Sequence, residues 1–122
     1  MTYAEIETGA RTLLQDDQAT YRWPAAEMYG YMPEAIRSLF AMRPTALFVN
    51  GRMPSSLATL EPPTVAAAIS AAGAVTANVN DRYMQALVYY VAAKCLERDD
   101  SDTANIQLSS AYMNNFASFA KS

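Results

Sequence analysis

The sequence contains no histidine at all and only one cysteine. The first absence removes the commonest general base and the commonest zinc ligand. The second excludes an internal disulfide and any cysteine-rich metal site. The four glycines stand alone, so no glycine-rich loop is available to cradle a phosphate. Basic residues are few and scattered: Arg11, Arg22, Arg37, Arg43, Arg52, Arg82 and Arg98 never adjoin one another, and Lys94 and Lys121 are the only lysines. With a net charge of −3 the chain lacks the clustered Lys and Arg by which proteins displace counterions from nucleic acid. No run reaches the roughly 18 to 20 apolar residues of a membrane span, and no basic segment followed by an apolar one opens the sequence. A soluble chain, cytoplasmic when synthesised and without catalytic or cofactor chemistry, is the expectation.

What the chain does have is apolar residues, 52% of a total of 122, enough for one domain with a modest core. Many of them are alanine, and at this size a partner would help to cover the remaining apolar surface.

Helical periodicity organises most of the sequence. Thr2-Tyr3-Ala4-Glu5 is a capping-box pattern, followed by Ile6, Ala10, Leu13 and Leu14 on one stripe, which predicts a helix over 3–15. Gly9 weakens it, and Asp16 and Asp17 help to end it. A second helix is expected over 24–42, opened by Pro24 and closed by Arg43-Pro44, with Met28, Met32, Ala35, Ile36, Leu39 and Phe40 on one arc. Pro33 falls inside it. Because the apolar register is the same on both sides, one helix kinked around Gly30 to Pro33 is expected, and the kink is read as fixed shape rather than a hinge.

The stretch 45–80 is irregular. Ala46-Leu47-Phe48-Val49 before Asn50-Gly51 has the look of a short strand entering a turn, and Pro54, Pro62 and Pro63 punctuate the linker-like residues after it. Thr64 to Ala72 reads as a short helix closed by Gly73, and the weak alternation of Ala74 to Val79 would suit a strand pairing with the first one.

A third long helix is expected over 81–98, capped by Asn80 or Asp81. Met84, Leu87, Val88, Val91, Ala92 and Cys95 share one face, while Tyr83, Ala86, Tyr90 and Ala93 form a second apolar face where a surface helix would carry charges. A fourth, over 102–120, has Leu108, Tyr112, Phe116 and Phe119 as its main stripe, flanked by Ile106, Met113 and Ala117. The short break between these two helices predicts an antiparallel hairpin. The acids at the break, Asp99, Asp100 and Asp102, suit a helix N-terminus and lack the spacing of a calcium loop. Cys95 reads as a small buried hydrophobe. The fold class that results is mainly α, a single domain of about four helices bundled around a short β or extended segment.

Several of these pieces stand in a familiar order. Ala10-Arg11-Thr12-Leu13-Leu14-Gln15-Asp16, then Arg22-Trp23, then an amphipathic helix ending in Arg43-Pro44, resembles the opening of phage head-to-tail connector (portal adaptor) proteins. Asp81-Arg82-Tyr83 with Ala86-Leu87-Val88 and Tyr90-Val91 is similar to the family's third-helix signature. Glu97-Arg98-Asp99 and Tyr112 to Phe116 are similar to its ending. The resemblance covers about 10–44 and 80–119, while Thr45 to Val79 departs from it and is shorter than the insert of many relatives.

The resemblance implies a structural virion protein without cofactor, metal or active site. Its partners would be other copies of itself, in a ring of about twelve subunits, the portal above, and the next tail or stopper protein below. Viral DNA would pass through without specific binding. Such a protein sits in the neck of the virion after assembly in the host cytoplasm. A small non-enzymatic helical interaction module of another virion or phage assembly is the alternative.

Two sets of residues are candidates for subunit or portal contact. Arg22 and Trp23 are types favoured at interface hot spots, although Trp23 also suits a hydrophobic staple at the start of the second helix. The face Tyr83, Ala86, Tyr90 and Ala93 is either a ring interface or the seat of an intrachain cover supplied by the middle segment.

Overall fold

The computed structural model describes residues 2–14, 23–43, 64–75, 79, 81–98 and 103–121. Among these the chain is a mainly α bundle: α1 (Tyr3–Leu14), α2 (Ala25–Met42), the short α3 (Val65–Ser70), α4 (Met84–Arg98) led in by a 3₁₀ turn at Asp81–Tyr83, and α5 (Thr103–Lys121). No strand occurs among the described residues. The strand expected at Ala46–Val49 lies outside them, as do most of the middle segment and the acids Asp99, Asp100 and Asp102.

The start of α1 shows how its sequence satisfies its backbone. Thr2 and Glu5 form the reciprocal capping box, with Thr2 N–H donating to Glu5 Oε1 and Glu5 N–H to Thr2 Oγ1, both at 3.2 Å. The remaining first-turn amides are satisfied from the middle segment, Tyr3 N–H by the Val75 carbonyl at 3.1 Å and Ala4 N–H by that of Gly73 at 2.9 Å. Tyr3, Ile6 and Ala10 then face the core.

Helix α2 runs unbroken through Pro33, which is itself buried. The apolar register explains why: Met28, Met32, Ala35, Ile36 and Leu39 all lie in the core, and burying each of the larger ones contributes roughly 1.5–3 kcal/mol, enough together to offset one lost helical hydrogen bond. The helix closes with Arg43 N–H on the Leu39 carbonyl.

The expected short helix of the middle segment is α3, capped by Thr64, whose Oγ1 accepts from Ala67 N–H at 3.2 Å. Its end differs from expectation by one residue. Gly73 N–H bonds to the Ala68 carbonyl and Ala72 N–H to that of Ile69, a Schellman motif in which Ala72, at φ 52°, takes the left-handed position that glycine normally holds. Gly73 follows at φ 83°. Its own reason for being glycine is space, since a Cβ there would overlap Tyr29 Oη and sit 3.0 Å from the Cβ of Ala4.

At the centre of the bundle α4 packs on α1, α2 and α5. Gly9 of α1 permits a close approach, for a Cβ at that position would stand 2.8 Å from a Val88 methyl. Helices α4 and α5 form the expected antiparallel hairpin, in which Ala93 lies against Ser109, Tyr90 against Phe116, and Tyr89 against Phe119.

The stripe expected on α5 is corrected by the structure. Phe116 is buried, but its companions in the core are Ser109 and Ala120, whereas Leu108 and Phe119 are 41% and 43% exposed. The reason lies on α4. Ala93 presents a small side chain to α5, and Ser109 Oγ satisfies itself there by donating to the Ala93 carbonyl at 2.8 Å. Hydrophobicity alone points to the larger side chains, and packing selects the smaller ones.

Candidate functional site

The two sets of candidate contact residues have different fates. Arg22 lies outside the described residues. Trp23 is 5% exposed, and its indole N–H donates to the Cys95 carbonyl of α4 at 3.0 Å. Its own carbonyl accepts from Arg11 Nη1 of α1 at 2.9 Å. Trp23 is therefore an internal tie between the start of α2 and two other helices, which extends the staple reading and leaves little of it for a partner.

The face Tyr83, Ala86, Tyr90 and Ala93 is not a surface. All four residues are at most 5% exposed. At Tyr90 and Ala93 the cover comes from α5, through the edge-to-face contact of Tyr90 with Phe116 at 5.1 Å and the Ser109–Ala93 hydrogen bond. The described part of the middle segment packs elsewhere, α3 against α2. The face is therefore not exposed for a subunit interface, and most of the middle segment expected as its intrachain cover lies outside the described residues. Periodicity reports that a face is buried, and it cannot report which element buries it.

The polar groups within the bundle are arranged as structural ties. Arg11, 4% exposed, pairs through Nε with Glu7 Oε2 at 2.8 Å, and Glu7 Oε1 accepts from the Tyr29 hydroxyl at 2.8 Å. Elsewhere on α2, Tyr31 Oη donates to Glu27, which also pairs with Arg98. Burial, together with the hydrogen bond to a carboxylate and its negative charge, pushes the phenols of Tyr29 and Tyr31 each up to about 12. Burial also raises the Tyr90 and Tyr112 phenols. Arg43 Nε donates to the Ala120 carbonyl at 3.1 Å, placing a cation at the negative end of α5.

Cys95 is fully buried and packs as a small hydrophobe. Among the described residues no three His, Cys, Asp or Glu side chains are grouped to hold a metal, and no helix is long and apolar enough to cross a membrane. Two shallow surface recesses occur among the described residues, one of about 420 Å³ between α1 and α4 lined by Gly9, Thr12, Leu13, Gln85 and Val88. The other, about 220 Å³, is lined among the described residues by Glu97, Ser109, Ser110 and Met113.

No family profile, curated protein or solved structure matches this chain.

The surface feature that the contact candidates missed is the outer side of α5. From Thr103 to Ala120 there is no charged residue, yet much of that side faces solvent. The signal is present in the sequence as an absence of charge, but the apolar stripe of the same helix overlays it.

Proposed function

We propose that this chain is a head-to-tail connector subunit of a tailed phage, a non-enzymatic adaptor that assembles as a ring beneath the portal. In this reading it extends the DNA channel, lets DNA pass without binding it specifically, and offers the docking surface for the next neck or tail protein. It acts in the virion neck and takes no cofactor.

The observation that carries the reading is the order of the motifs at Arg11, Arg22-Trp23, Arg43-Pro44 and Asp81-Arg82-Tyr83. A physical reason for three of these positions to go together supports it. Arg11, Trp23 and Arg43 each hydrogen-bond a backbone carbonyl of another part of the bundle, so that the motif residues share one structural task. The absence of histidine and the burial of the only cysteine support a role in contacts rather than chemistry.

The test is to mix the purified chain with its portal and image the product by electron microscopy. A ring of about twelve subunits seated on the portal is the expected result. A chain that stays off the portal and forms no ring overturns the reading and favours a helical interaction module of another assembly.

A further inference from the structure

We draw no further inference here: the strongest candidate, the outer face of α5 beside the ring cluster of Tyr89, Tyr112 and Phe119, carries none because nothing in the structure shows what covers it.

Discussion

The indole nitrogen of Trp23 and the carbonyl oxygen of Cys95, 72 positions apart in sequence, lie 3.0 Å from each other inside the bundle. This bond fixes where the chain enters α2 relative to the centre of α4. It also gives Trp23 a partner for the one polar atom of an otherwise apolar side chain, which a buried tryptophan requires.

Trp23→Phe removes the donor and leaves a partly filled space. The expected cost is about 2–3 kcal/mol, of which the hydrogen bond contributes about 1 and the lost packing the rest. Urea unfolding followed by circular dichroism measures it, since the variant removes the only tryptophan and with it the fluorescence signal. A loss under about 0.5 kcal/mol would show that the indole is not held as described.

A sharper effect is expected at Arg11, because its guanidinium serves Glu7 and the Trp23 carbonyl together. Arg11→Met leaves the Glu7 carboxylate, whose side chain is only 16% exposed, without its cation. The expected cost is about 3–5 kcal/mol. Glu7→Gln in the same chain removes the stranded charge and should recover a large part of that loss. The double-mutant cycle reports the coupling, and simple additivity of the two changes would contradict a shared ion pair.

The long helices are legible in the sequence because each rests on a local signal. The capping box at Thr2 and Glu5, the unbroken register across Pro33 and the Asp-rich break before α5 are all readable without tertiary knowledge. The observed limits fall within one residue of those expected at each end except the start of α4, where a 3₁₀ turn precedes the helix. Partner choice is not readable in the same way. The apolar face of Tyr83 to Ala93 needs a cover, and α5 supplies it at Tyr90 and Ala93, where Phe116 and Ser109 pack. Arg11 reads as one scattered surface cation, and nothing local marks it as buried, because its partners Glu7 and Trp23 become meaningful only once α1 and α2 meet. The burial of Trp23, Tyr83 and Tyr90 is unreadable for the same reason: Trp and Tyr are preferred both at interfaces and in cores, and only packing separates the two.

Adjacent residues in the turn after α3 should respond in opposite directions. Ala72 sits at φ 52° in the left-handed region, so Ala72→Gly relieves strain and is expected to stabilise the fold by up to about 1 kcal/mol. Gly73→Ala is expected to cost at least about 2 kcal/mol, because the new methyl group meets Tyr29 and Ala4 at a φ of 83°. Thermal unfolding of the two variants side by side gives the comparison, and equal signs for the two changes would contradict this turn.

Alkaline pH should unfold the chain through its tyrosines. Folding holds the Tyr29 and Tyr31 phenols protonated up to about 12, whereas in the unfolded chain they ionise near 10. Between those values the folded state keeps protons that the unfolded state has released, so stability falls as pH rises, and below about pH 9 these groups contribute no pH dependence. Burial, first among the causes, acts with the Glu7 and Glu27 carboxylates, which repel a phenolate at each site. The urea midpoint is therefore expected to be insensitive to these phenols up to about pH 9 and to drop steeply above about pH 10, with a shallower drop in the Tyr29→Phe, Tyr31→Phe double variant. Near-UV absorbance gives an independent reading. If all eight tyrosines of the still-folded chain ionise together near pH 10, the phenols are not shielded and the carboxylate contacts at Glu7 and Glu27 do not hold them.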